Sequence, residues 1–131
     1  SSWTSNTGPI KLYSTIMKAS NLSFDGNSSL TAAGVFVVVE ASELYCSHCV
    51  FQNNKAKVAG AILVTNESLI VLKSSVFLNN SVEDTGSAIY LFNTRRNNSV
   101  TACTFQGNTG KRLIALVESS LAIQDSLIYN N

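Results

Sequence analysis

Three constellations in this sequence carry side chains able to do chemistry. The first is Cys46-Ser47-His48-Cys49, a C-x-x-C with a histidine inside it. Paired thiols at that spacing bind metal when a second ligand pair joins them, and exchange disulfides when a helix N-terminus activates them. Neither partner is in the sequence, where Cys103 is the one remaining cysteine. The expected role of Cys46 and Cys49 is that of buried structural thiols, with a local disulfide as the alternative, and His48 is expected to face solvent. The second constellation is acidic: Asp25, Glu40, Glu43, Glu67, Glu83, Asp84, Glu118 and Asp125. Carboxylates gathered on one face hold calcium beside a basic residue or work as an acid–base pair on a glycosidic bond. Glu40 and Glu67 share a phase, sixteen residues after a phenylalanine, with Glu43 near them. No aspartate triad and no neighbouring Lys or Arg completes a site there. The third is the polar insertion at 93–99 (NTRRNNS), whose Arg95 and Arg96 are of the kind that grips an anionic sugar or a partner carboxylate. A solvated loop is the simpler reading, and Lys111-Arg112 reads as ordinary surface.

What positions these residues is a repeat. Phe24 is followed three residues later by Asn27, Phe51 by Asn54, Phe77 by Asn80, Phe105 by Asn108, and Ile128 by Asn131. The leading residues are 27, 26, 28 and 23 apart. A second half recurs as Gly34-Val35-Phe36, Gly60-Ala61-Ile62, Ser87-Ala88-Ile89 and Ile114-Ala115-Leu116. A self-similar period of this length is the mark of a solenoid, in which each repeat covers the apolar face of the next.

The positions before each Phe show what kind of coil it is. Seven before stand Met17, Leu44, Ile70, Asn98 and Leu121; five before, Ala19, Cys46, Leu72, Val100 and Ile123; two before, Leu22, Cys49, Ser75, Cys103 and Ser126. The first two columns share one strand parity, and the third shares the other with the Phe column. The odd gap between them demands a bend, and the odd step from Phe to Asn demands a second. Val, Ile, Thr, Ser, Asn and Phe dominate, and no apolar spacing of helical period persists over three turns. The expectation is an all-β chain of about five coils, three short strands per coil, stacked in parallel about 4.8 Å apart.

In such a stack the phenylalanines form a column. Asn27, Asn54, Asn80, Asn108 and Asn131 form a ladder whose amides satisfy one another at a turn. Gly34, Gly60 and Ser87 suit a corner too tight for larger side chains. Cys49 and Cys103, two coils or about 9.6 Å apart, are beyond disulfide reach.

The FxxN motifs, with AGAI at 59–62, GSAI at 86–89 and IAL at 114–116, resemble the parallel β-helix proteins of the pectin-lyase-like fold. They are most similar to the FxxN and GGAI repeats of chlamydial polymorphic outer-membrane proteins. The likeness covers roughly residues 17 to 131, and in its second motif the sequence departs from the family pattern. The resemblance, with the crossover preference of parallel sheets, implies a right-handed β-helix. It implies a non-enzymatic extracellular or cell-surface module, structural or adhesive; the alternative is a polysaccharide lyase or glycoside hydrolase of the same fold.

Five asparagines, Asn21, Asn27, Asn66, Asn79 and Asn97, sit in N-x-S sequons. Asn27 is committed to the ladder. Asn66 and Asn97, in the turn before the third strand, are the best N-glycosylation candidates, followed by Asn79.

The 131 residues carry a net charge of +1, which gives nucleic acid nothing to bind. The longest apolar run, Val35–Val39, is far short of the roughly 20 residues a membrane span needs. One domain over 1–131 is expected, with residues 1–9 as an entry segment or the tail of a preceding coil, and Trp3 either capping the stack or belonging to an upstream coil. The apolar columns run on to Leu127 and Ile128 without a capping change, so a segment of a longer solenoid is expected. Its partners would be flanking coils of the same chain or neighbouring subunits, with glycans a further candidate. No catalytic, cofactor-binding or metal-binding residue is assigned.

Overall fold

In the computed structural model the structure describes residues 2–30, 32–83 and 87–131. Asp84 and Gly86 lie outside the described residues, as does the side chain of Ser87. All regular structure among them is β. The chain opens with β1 (Ser2–Thr4), β2 (Ile10–Tyr13) and β3 (Ile16–Ser20), then β4 (Ser23–Asp25), β5 (Phe36–Val39) and β6 (Glu43–Ser47). It continues with β7 (Val50–Gln52), β8 (Lys55–Ala56), β9 (Ala59–Thr65) and β10 (Leu69–Lys73). Then come β11 (Val76–Leu78), β12 (Ser81–Val82), β13 (Ser87–Phe92) and β14 (Asn98–Thr101). The last are β15 (Thr104–Gln106), β16 (Ile114–Val117), β17 (Leu121–Gln124) and β18 (Leu127–Tyr129).

These strands stack into three parallel sheets. The first runs β1-β4-β7-β11-β15-β18, the second β2-β5-β9-β13-β16 and the third β3-β6-β10-β14-β17, with β8 and β12 as a short extra pair. Two sheets have five strands, so four full turns separate their first and last strands. The register is that of the repeat: Phe24, Phe51, Phe77, Phe105 and Ile128 pair in line, as do Leu44 with Ile70 and Cys46 with Leu72.

Every coil turns at residues in the left-handed region. Asn21, His48, Ser74, Ala102 and Asp125 bend the chain from the third sheet to the first, with φ from 50° to 56°. The residue before each ladder asparagine does the same into the second sheet: Ser5, Gly26, Asn53, Asn79 and Gly107, and Asn130 holds the same conformation before Asn131. This is the physical origin of the odd gaps. An αL residue reverses the side-chain alternation, so both flanking strands keep their apolar residues inward. Asn, whose short amide tolerates αL, is over-used at these bends.

Of the two readings of the opening segment, the structure shows the further coil: β1 pairs with β4, with Trp3 opposite Phe24, and the Asn6 amide joins the ladder. Two expectations are corrected. In the fourth copy of the second motif, Ile114 and not Leu116 lies opposite Ile89. The segment after Asn108 is shorter than its counterparts, and a slip of two keeps the apolar side chains inward. Glu40 and Glu67 do not stack. The flanking strands hold an offset of 26, as Val38 with Val64 and Glu43 with Leu69 show, so Glu40 stands over Asn66 and Glu67 over Ala41. The path after Asn54 is one residue shorter than that after Asn27, which cancels the phase counted from phenylalanine.

Gly34 sits at the tight corner expected of it. A Cβ there would lie 2.2 Å from the Gly60 carbonyl oxygen, whereas one at Gly60 would meet Asn80 Cβ at 3.1 Å. Backbone cannot swing aside as a side chain can. Gly34→Ala is therefore expected to cost about 2 kcal/mol in urea denaturation, and Gly60→Ala less.

Candidate functional site

The three corners of the coil consume most of the side chains that the sequence offers for chemistry. At the corner between the first and second sheets stands the asparagine ladder, with Asn27, Asn54, Asn80 and Asn108 buried. Each rung repeats one pattern. Asn80 donates from its backbone N and from Nδ2 to Asn108 Oδ1 at 3.0 and 2.9 Å, and from Nδ2 to the Phe51 carbonyl at 2.9 Å. Its own Oδ1 accepts the same two bonds from Asn54 at 3.1 and 2.9 Å. Asn131 closes the series on Asn108, and Asn6 continues it on Asn27. Asn6 is a rung the repeat count passed over, although Trp3-x-x-Asn6 carries the same aromatic-x-x-Asn signal.

The corner between the second and third sheets has a ladder of hydroxyls, invisible in the phenylalanine phase. Thr15 N donates to Ser42 Oγ at 3.0 Å, Ser42 N to Ser68 Oγ at 3.1 Å, and Thr94 N to Ser119 Oγ at 3.0 Å. Thr94 Oγ1 donates to the Ser68 carbonyl. The signal was the recurrence of Ser or Thr at the coil period through these five positions.

The third corner explains two of the three cysteines. Cys49 N donates to Ser75 Oγ at 3.2 Å, and Cys103 N to Ser126 Oγ at 3.1 Å. In the alternate rungs the sulfur takes the oxygen's place: the Leu22 backbone bonds Cys49 and the Ser75 backbone bonds Cys103. Each thiol or hydroxyl donates in turn to the carbonyl two residues back, Cys103 Sγ to Thr101 at 3.4 Å and Ser126 Oγ to Gln124 at 3.0 Å. Burial pushes the Cys103 thiol up. Sulfur and oxygen are interchangeable parts of one column. Cys103→Ser should therefore change stability by under about 1 kcal/mol, while Cys103→Ala, which strips the Ser75 N–H of its acceptor, should cost about 1–2 kcal/mol on the same denaturation curve.

Cys46 is different: it lies one column away, in the core. All three cysteines are free and buried. The neighbouring Cys49 thiol, together with burial, pushes the Cys46 thiol far up. The neighbouring Cys46, helped by backbone donors and opposed by burial, draws Cys49 down to about 6. His48 is exposed, as expected.

The outer face of the third sheet carries the remaining charged constellation. Arg96 reaches across two coils to place Nη2 2.7 Å from Glu43 Oε2, and Tyr45 donates its phenol to Glu43 Oε1 at 2.6 Å. With both oxygens occupied, first by Tyr45 and then by Arg96, the Glu43 carboxyl is held below its ordinary range. Donation to Glu43 pushes the Tyr45 phenol up. Lys18 Nζ stands 6.0 Å from the Tyr45 ring centre, at the limit of a cation–π contact. An open groove of about 610 Å³ runs beside them, lined among others by Ile16, Val71 and Lys73. A carboxylate this well bonded is a weak base and gives up its proton too readily to act as an acid near neutrality. Arg95 is exposed beside it.

The outer face of the second sheet is largely apolar. Tyr13, Phe92 and Val117 are 51%, 45% and 38% exposed, with Val39, Leu63 and Tyr90 half-buried between them. Of the sequon asparagines, Asn66, Asn79 and Asn97 are exposed and Asn27 is buried. Ser68, the hydroxyl of the Asn66 sequon, is buried in the ladder.

Among the described residues no group of three or more His, Cys, Asp or Glu could hold a metal ion, and no helix is long and apolar enough to cross a membrane. No family model matches the sequence, and no curated protein or solved structure matches it either.

Proposed function

We propose that this chain is a non-enzymatic structural module: a rigid β-solenoid that spaces, adheres or assembles at a cell surface or outside the cell. The observation that carries the reading is where the reactive side chains are spent. The asparagines, hydroxyls and two of the thiols bond rung to rung, and no buried side-chain nitrogen or oxygen among the described residues lacks a partner. Glu43 and Arg96, the best-placed charges, neutralise each other. A scaffold that spends its polar groups on its own corners resists deformation along its length. The apolar outer face of the second sheet would supply the contact surface toward neighbouring coils or subunits. Kinship with the pectin-lyase-like β-helices, and with chlamydial surface repeats in particular, rests on the FxxN motifs and belongs to this reading. So does glycan attachment at Asn66, Asn97 and Asn79.

The reading is tested by incubating the chain with polygalacturonate and with neutral β-glycans, with and without calcium, and following new chain ends. No turnover is expected. Cleavage that Glu43→Gln or Glu67→Gln abolishes would overturn the reading and establish a carbohydrate-active enzyme.

A further inference from the structure

We propose that Cys46 and Cys49 form an intrachain cross-link site, a dithiol that closes to a disulfide across the bend between β6 and β7 when the protein meets a small disulfide oxidant. The argument begins with the bend. Strand β6 ends at Ser47, His48 takes a left-handed φ of 56°, and β7 begins at Val50. That single αL residue turns both cysteines inward, Cys46 from the third sheet and Cys49 at the start of the first. They enter one core cluster, at 2% and 0% exposure. There they stand three residues apart across a single bend, both on the inward side of the chain.

No competing partner is as near. The column of Cys46 holds Ala19 and Leu72 on either side. The column of Cys49 places the Ser75 rung between it and Cys103, a separation of about two strand spacings, or about 9.6 Å, against the roughly 7 Å limit for bridging.

Oxidation also leaves nothing buried without a partner. The hydrogen bond lost is the one Cys49 donates to the Ser47 carbonyl at 3.6 Å, and that carbonyl keeps the Asn21 N–H at 3.0 Å. The bond Cys49 accepts from the Leu22 backbone needs only a sulfur lone pair, which a disulfide retains. Either thiol can make the first attack once deprotonated, and the exchange is the same with their roles reversed.

The chemistry balances as ordinary thiol–disulfide exchange. The Cys49 thiolate attacks one sulfur of the oxidant and expels the other as a thiolate, giving a mixed disulfide. Cys46 gives up its proton and attacks Cys49 Sγ, expelling the second thiolate. Two S–H bonds are lost and one S–S bond forms, and the oxidant is reduced to two thiols. Because both sulfurs are buried, exchange waits on opening of the bend. It is slow in the folded protein and fast during refolding. Neither step depends on the surface-module reading, and a failure here would leave that reading untouched.

The test uses the whole 131-residue chain. It is equilibrated with excess oxidised glutathione, both as folded protein and during refolding from denaturant. It is then quenched in acid, alkylated under denaturing conditions and digested with trypsin. The peptide from Ala19 to Lys55 holds both cysteines, and Cys103 falls in another, from Asn97 to Lys111. Loss of two of the three alkylatable thiols is expected, with the first peptide lighter by two hydrogens than its dithiol form and Cys103 fully alkylated. Cys46→Ser should leave Cys49 open to a glutathione adduct, which shows the pairing independently. The proposal is overturned if all three cysteines alkylate after both treatments. It is equally overturned if Cys46 and Cys49 each keep a glutathione adduct, or if the bridge that forms includes Cys103.

Discussion

Phe77→Ala is expected to lower stability by about 4 kcal/mol, the largest loss of any single substitution considered. The ring is fully buried, with Phe51 at 4.6 Å and Phe105 at 4.8 Å between ring centres, and tilts of 8° and 9°. Truncation removes the transfer free energy of a whole aromatic side chain. It also opens a void in the middle of a column whose neighbours are strand-bonded on both sides and cannot close on it. Two stacked contacts, each about 0.5–1.5 kcal/mol beyond area, disappear with it. Phe77→Leu refills much of the volume and should recover more than half of the loss. Phe92→Ala, on the exposed outer face of the second sheet, should cost little. Urea titrations of the three variants decide it. A loss at Phe77 no greater than that at Phe92 would mean the column does not exist in solution.

The second large effect is at the ladder. Asn80→Ala is expected to cost about 3 kcal/mol, because three buried groups lose their partners at once: the Asn54 backbone N–H, Asn54 Nδ2 and the Phe51 carbonyl. Each buried orphan costs about 1–3 kcal/mol, and Asn54 Nδ2 keeps its bond to the Phe24 carbonyl, which limits the total. Asn80→Asp should be at least as harmful, since it sets a carboxylate against the Phe51 carbonyl and Asn108 Oδ1. The choice of control matters. Asn130 lies outside the ladder but holds a left-handed φ of 52°, so alanine there costs backbone strain. Asn97, exposed and off the bends, is the sound control, and Asn97→Ala should fall within about 0.5 kcal/mol of the parent. Equal losses at Asn80 and Asn97, by urea midpoint, would refute the register.

Much of this fold was legible because a solenoid writes its contacts at a fixed period. Phe24, Phe51, Phe77 and Phe105 announce their column, and the Asn three residues on announces the ladder. What went unread lay where that period changes. Glu40 and Glu67 seemed to share a phase because counting from phenylalanine ignores one residue lost after Asn54. Leu116 seemed to fill the place of Ile114 because a slip of two preserves inward parity and leaves the pattern looking intact. The hydroxyl ladder through Ser42, Ser68 and Thr94 was missed for a different reason. Ser and Thr are common in turns, and only the backbone donors they meet distinguish a rung from surface. The pairing of Arg96 with Glu43, 53 residues apart, follows from a side chain crossing two coils, which no strand periodicity encodes. Asn6 was in plain view as Trp3-x-x-Asn6, but Trp3 precedes Phe24 by 21 residues, an interval that the other repeats do not share.

The central claim is an in-register parallel stack closed by a buried amide ladder, and side-chain amide exchange reads it most directly. In deuterated buffer the Nδ2 protons of Asn27, Asn54, Asn80 and Asn108 should be observable long after dissolution and exchange together, near the global unfolding limit, while those of Asn66, Asn97 and Asn130 vanish at once. If the four ladder amides exchange as fast as the exposed three, the ladder is not formed and the account is wrong.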